Sequence, residues 1–264
     1  MASLIFSFIL LGLIAGLLSG LLGIGGGVII VPFLSYAFSE MGIKNEMSLA
    51  VGSSLAAMIL ITLSSCISHY KRKSIDFNIV RFMGAGAIVG SLTGAVIVSL
   101  ISSLGLKIFF GSLETFLGIK LLIPELKIKK VRHVPSPLKL VICSYIITII
   151  STMVGISGGI INVAFLTHYK VQIKKAIGTA SAVGFLISLF GTLSFILIEK
   201  TQAGLNYTIG NIYIPAVIFI GGSSFLIAPY GAKLAHTLPT QKLLKLLGFA
   251  LIAMGLSIIL RSVV

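Results

Sequence analysis

The chain has 264 residues, of which 57% are apolar and only 10% charged, with a mean hydropathy of +1.14. A soluble domain carries about 25% charged residues to cover its surface, so this composition excludes one, and it equally excludes a disordered or collagen-like chain. Two cysteines leave no disulfide framework or cysteine-based metal cluster to expect. The net charge of +14 falls between long apolar runs, which points to anionic lipid rather than nucleic acid as its partner.

Met1–Ser39 contains no Asp, Glu, Lys or Arg, and neither do Met47–Tyr70, Phe82–Leu106, Leu140–Tyr169, Ala176–Ile198 and Thr201–Ala232. About 20 such residues cross a hydrocarbon layer of ~30 Å as a helix. The runs lack the two-residue alternation of a barrel strand. The chain therefore reads as an all-α polytopic membrane protein, with helices expected near 4–22, 48–69, 80–101, 105–124, 138–154, 176–198, 212–230 and 242–261. No Lys or Arg precedes Lys44, so the first stretch lacks the basic region of a signal peptide and is expected to stay as a helix. Two shorter apolar segments, 28–38 and 158–168, follow glycine clusters. Each reaches only ~17 Å by helix rise, as a tilted short span or a re-entrant half-helix. The count is thus 8–10 transmembrane segments.

The chain also repeats itself. Gly23-Ile24-Gly25-Gly26-Gly27 and the following Val28–Leu34 match Gly155-Ile156-Ser157-Gly158-Gly159 and Ile160–Leu166 at an offset of 132. Ala50-Val51-Gly52-Ser53 matches Ala176-Ile177-Gly178-Thr179 at 126, and Gly94, Gly111 and Gly118 match Gly231, Gly248 and Gly255 at 137. Two transmembrane repeats, 1–124 and 140–264, are joined by a basic linker, 125–139, expected in the cytoplasm. If every segment crosses, one side collects 15 Lys and Arg and the other 4. That split obeys the positive-inside rule. Five crossings per half then make the repeats inverted, with both termini outside, a recurring transporter construction.

The glycine clusters are the candidate site. Glycine lets the backbone approach a ligand closely, and each cluster opens a short helix whose first N–H groups lack partners and carry partial positive charge. In hydrocarbon an anion satisfies such donors well. The candidate substrate-binding residues are Gly23, Gly25, Gly26 and Gly27 with Ser53 and Ser54 in one half. Gly155, Ser157, Gly158, Gly159, Asn162, Thr179 and Ser181 are those in the other. Backbone bonding within their own helices is the alternative role for the four hydroxyls of the helices that follow. Close helix packing is the alternative for the glycines, and the reading for Gly86, Gly90 and Gly94.

The stretch GLLSGLLGIGGGVIIVPFL at Gly16–Leu34, its echo at 151–166, and Ala50-Val51-Gly52-Ser53-Ser54 resemble the sulfite exporter TauE/SafE family over essentially the whole chain. The resemblance implies a multi-pass cell-membrane permease or exporter of small anions, notably sulfite and organosulfonates, usually with about eight spans. It implies no cofactor and no catalytic machinery. Ala164 stands where the first half has Pro32, and Ser157 stands where it has Gly25.

Glu114 lies midway along an expected span, where a carboxylate is costly and functional by default. Proton coupling is one role, and pairing with Lys107 or Lys120 is the alternative. His69 and His168 sit at expected helix ends, and Cys66 and Cys143 read as small packing residues. Competing functions are an anion channel and an intramembrane serine protease built on the GxSG motif at Ser157 with His236 as base. The repeat argues against the protease, because Ser157 aligns with a glycine. The expected mechanism is alternating access around the paired clusters. A homo-oligomer is compatible with this architecture.

Overall fold

The computed structural model describes residues 2–22, 25–123, 135–198, 206–234 and 240–263. The first half contains α1 (Ala2–Leu22), α2 (Gly27–Glu40), α3 (Glu46–Lys71), α4 (Phe77–Leu100) and α5 (Ser103–Leu122). The second contains α6 (Pro137–Met153), α7 (Gly159–His168) and α8 (Ile173–Ile198). It continues with a two-stranded hairpin, β1 (Thr208–Ile209) and β2 (Ile212–Tyr213), then α9 (Ile214–Ala216), a π-helical turn (Val217–Gly221), α10 (Gly222–Leu234) and α11 (Thr240–Val263). Each expected helix is present with ends within four residues of the expected bounds. Most of the expected linker, including His133, lies outside the described residues, as does His236.

One expectation needs correction. The span placed at 212–230 starts later, at Ile214, because residues 208–213 form an antiparallel hairpin pairing Thr208 with Tyr213 and Ile209 with Ile212. Gly210, at φ +57, takes the first central position of its two-residue turn, where tight hairpins favour glycine.

Among the described residues, six helical stretches are long and apolar enough to cross a membrane: Ser3–Leu21, α3, α4, α8, Ile214–Gly231 and Lys245–Ser262. α5 is long enough but holds Lys107, Glu114 and Lys120, and α6 has only 17 residues. The surface of the bundle is apolar, with Leu100 80% exposed and Leu197 79% exposed, while Ser53, Ser54, Ser144, Thr148 and Ser188 are wholly buried. Lipid accepts that inside-out distribution; water penalises so much contiguous exposed apolar surface.

The main helix pairs join one half to the other. α4 packs on α6, α1 on α10, α5 on α11, and α3 on α8. Small residues let the backbones touch. A Cβ at Gly90 would lie 2.7 Å from the Tyr145 carbonyl oxygen, and one at Gly16 2.6 Å from the Ser224 Cα. Hydroxyls tie the same two interfaces, Ser144 Oγ donating to the Met83 carbonyl and Ser224 Oγ to that of Gly12, each at 2.6 Å. In the α5–α11 pair, Gly111 faces Gly255 and Gly118 faces Gly248. The two helices are therefore antiparallel. Shifting either glycine pair by the repeat offset of 137 yields the other.

Candidate substrate site

α3 and α8 are the longest helices and cross at their middles. Leu55 meets Gly191 at one end of the contact, and Ser65 Oγ lies 3.2 Å from Ser181 Oγ at the other. Rising numbers on one helix meet falling numbers on the other, so the pair is antiparallel and their N-terminal thirds point to opposite ends of the bundle.

The two glycine breaks meet at this crossing. Both are real interruptions. α1 ends at Leu22 and α2 starts at Gly27, and α6 ends at Met153 and α7 starts at Gly159. Gly155 and Gly158 both have φ +69, a left-handed conformation that costs L-residues roughly 1–2 kcal/mol. A Cβ at Gly27 would lie 2.5 Å from the Gly155 carbonyl oxygen, and one at Gly25 would strike Ser157 Oγ and the Met58 methyl. Ser54 Oγ donates to the Gly155 carbonyl at 2.9 Å, and Gly184 of α8 closes on the Ser157 backbone. Gly25, Gly27, Ser54, Gly155 and Ser157 thus converge at the crossing, against the Val51–Met58 stretch of α3 and Gly184 of α8. Gly25 and Ser157 are equivalent in the repeat and face each other. The N-cap residues of α2 and α7 are Gly26 and Gly158, which have no side chain to cap them with.

The other expected site residues lie around this junction. Gly26 precedes α2 and faces Ala15 of α1, and Gly159 opens α7. Gly23 lies outside the described residues. Asn162 is wholly buried, and neither its Nδ2 nor its Oδ1 has a hydrogen-bond partner among the described residues. Ser181 donates to the Ile177 carbonyl at 2.9 Å and sits beside Ser65, away from the junction.

Ser53 and Thr179 do something else. Ser53 Oγ accepts the backbone N–H of Tyr213 at 2.8 Å, and Thr179 Oγ1 accepts that of Asp76 at 3.0 Å. Beside them, Gly52 abuts the Asn211 carbonyl and Gly178 abuts the Ser74 carbonyl. The residues of each set are related by the repeat offsets. A loop from each half therefore latches onto the long helix of the other half. On α3 the latch at Ser53 adjoins Ser54 of the junction, whereas on α8 Thr179 lies five residues, roughly 7–8 Å by helix rise, from Gly184. Because α3 and α8 are antiparallel, the two latches lie towards opposite ends of the crossing. Ile75 and Tyr213, in or next to the latches, each border a surface cavity. The first, of about 370 Å³, is lined by Tyr70, Lys71, Lys73, Ile75 and Phe77. The second, of about 190 Å³, includes Phe8, Tyr207, Tyr213 and Phe219.

Glu114 is 1% exposed, on the buried stripe of α5 with Phe110 and Leu117. Neither carboxylate oxygen has a partner among the described residues. Neither expected lysine serves it: Lys107 forms an ion pair with Glu46 at the start of α3, and Lys120 is exposed.

Sequence reasoning missed Met58 and Gly184, which form the walls of the junction, and the loops at Asp76 and Tyr213. The repeat itself carried the signal for the loops, since residues 74–76 and 211–213 stand at the offset already visible in the later glycines.

The sulfite exporter TauE/SafE family model matches residues 8–258. A Haemophilus influenzae protein named "Probable membrane transporter protein" is 35% identical over 254 residues, covering 93% of this chain and 95% of that protein. A Methanocaldococcus jannaschii protein described in the same words is 29% identical, covering 96% of this chain and 94% of its own length. Bacillus subtilis YunE, also so described, is 24% identical with 97% of each chain covered. No solved structure gave a significant match.

Proposed function

The chain belongs to the sulfite exporter TauE/SafE family of membrane transporters, and on that premise we propose that it carries small anions across the cell membrane by alternating access. The substrates are sulfite, organosulfonates or related sulfur-containing or carboxylate anions. The two halves sit in the bilayer with opposite orientations and rock about the glycine junction. The single observation that carries this reading is the pair of equivalent latches, Ser53 with Tyr213 and Thr179 with Asp76, towards opposite ends of the α3–α8 crossing. A carrier needs one gate on each face of its site, and two closed gates favour a carrier over a channel. Uncapped starts of α2 and α7 supply N–H groups and positive dipole ends, worth roughly 0.3–1 kcal/mol each to an anion and up to ~2 when partly buried. Moving one negative charge outward along an inside-negative potential releases ~2.3 kcal/mol per 100 mV. Export therefore runs without a coupling ion, and Glu114 is the candidate proton carrier for uptake.

Two experiments test this. The first places single cysteines in a background lacking Cys66 and Cys143, as Lys44→Cys, Lys129→Cys and Lys200→Cys, in whole cells. Positions 44 and 200 should react with an impermeant reagent from outside and position 129 should not; the reverse, or all three alike, overturns the topology. The second uses Ser157→Cys as a reporter at the junction. Thr179→Val leaves the Asp76 N–H without its acceptor, at a cost of about 1–3 kcal/mol, and should open the junction to the basic face. Ser53→Ala should open it to the opposite face. Labelling from the same face in both variants rules out two opposed gates.

A further inference from the structure

The glycine junction is built from equivalent segments, but its two sides are chemically unlike. Gly158, left-handed, immediately precedes α7. Where its Cβ would sit, three side chains converge: Ser151 Oγ at 2.9 Å, Asn162 Nδ2 at 3.1 Å and Ile187 Cδ1 at 3.1 Å. The equivalent point at Gly26 is met by Ala15 Cβ and, at 3.2 Å, by Ile30 Cδ1. Ile30 is the residue that the repeat aligns with Asn162. The same position in the fold thus presents a methyl group in the first half and a carboxamide in the second.

That carboxamide is an anomaly for a wholly buried side chain. Buried polar atoms nearly always have partners, yet both ends of the Asn162 amide lack one among the described residues. α7 is ten residues long and its N-cap, Gly158, has no side chain to cap its start. An uncapped helix start and an unpartnered amide facing the same glycine are two separate observations that call for the same ligand. A bare anion fills only half of that demand. Its oxygens accept from Nδ2 and from the first N–H groups of α7, but Oδ1 is an acceptor and needs a hydrogen from the ligand.

Resting on the reading of the junction as the substrate site, we infer that recognition is one-sided, through Asn162, and selects oxyanions that bring their own hydrogen-bond donor: a singly protonated oxyanion, or a sulfonate or carboxylate bearing a hydroxyl. The first half supplies close backbone packing and a helix dipole, and Ile30 supplies no polar contact.

A matched pair of probes isolates the donor. Isethionate and ethanesulfonate differ by one hydroxyl and carry the same single charge across the working pH range. With purified full-length protein in proteoliposomes, counterflow of isethionate should exceed that of ethanesulfonate about tenfold or more at equal concentration, because a site built to bond a hydroxyl discriminates against the analogue lacking it. Asn162→Leu should bring the ratio to about one. Its melting temperature without ligand should rise, since it removes an unpartnered buried amide, and isethionate should no longer shift it. Asn162→Asp keeps the shape, removes the donor and adds a charge, and should lose exchange of both probes. Equal exchange of the two probes by the wild type, or an unchanged ratio in Asn162→Leu, overturns the assignment while leaving the transporter reading standing. Absence of saturable exchange of either probe, and of sulfite, by the wild type overturns the transporter reading itself.

Discussion

Gly155→Ala should destabilise the protein by about 2–5 kcal/mol and abolish anion flux, where Gly42→Ala costs less, Gly222→Ala costs nothing, and neither stops flux. Three glycines separate the contributions. Gly222, inside the helical run, has nothing within 4 Å of where a Cβ would sit. Alanine there gains about 1 kcal/mol of helix propensity. Gly42, in the turn after α2, has φ +70 but equally open surroundings. Alanine there costs only the left-handed strain, roughly 1–2 kcal/mol. Gly155 has the same strain at φ +69, and its Cβ would also lie 3.0 Å from the Val51 Cα and 3.1 Å from the Val51 carbonyl oxygen. Those are backbone atoms of α3, which cannot swing aside as a flexible side chain does, and overpacking of this kind costs typically 1–3 kcal/mol. The measurement is a melting series in detergent alongside sulfite flux in liposomes. If Gly155→Ala melts no lower than Gly42→Ala, the close approach at the junction carries no energetic weight.

Glu114→Gln should leave the protein folded and remove the response of transport to a pH gradient. An ionised carboxylate without a partner is costly inside a membrane protein, and the two lysines that sequence places nearby do not compensate this one. Lys107 is held by Glu46, and Lys120 points outward. Exchange of a proton at this carboxyl is the one chemical event available to it that a glutamine cannot copy. Glu114→Leu, which fills the same stripe with an apolar side chain, should stabilise the fold by about 1–3 kcal/mol, as expected when an unsatisfied buried polar group is replaced. Flux under imposed gradients of either sign checks the first expectation and melting temperature the second. A Glu114→Gln variant that still concentrates sulfite under an inward proton gradient removes Glu114 from coupling.

The helices were legible because hydrophobic length alone decides what spans a bilayer, and the charge-free runs mark that length directly. The repeat was legible because glycines at the helix contacts cannot be exchanged for larger residues, so their spacing survives in both halves. The junction was legible for the same reason. The roles of the serines were not. A hydroxyl on a helix has a carbonyl four residues back always within reach, and nothing in the local sequence distinguishes Ser54, which donates across to Gly155, from Ser181, which donates to its own helix. The hairpin at 208–213 was hidden because Ile209, Ile212 and Tyr213 are as apolar as the span that follows. Its Gly210-Asn211 turn was the available signal. The ion pair between Glu46 and Lys107 was hidden because it joins two helices 61 residues apart in sequence.

The way the helices are exchanged across the midpoint has a consequence for ancestry. α1 finds its main partner in α10, α4 in α6, α5 in α11 and α3 in α8, so a single half leaves most of its contact surface uncovered. Two identical copies of that half, facing opposite ways, would cover all of it. Five helices of this kind therefore carry complementary surfaces for a self-paired dimer. In the single chain Ser157 and Asn162 stand where the first half has Gly25 and Ile30, a difference that two identical copies could not hold.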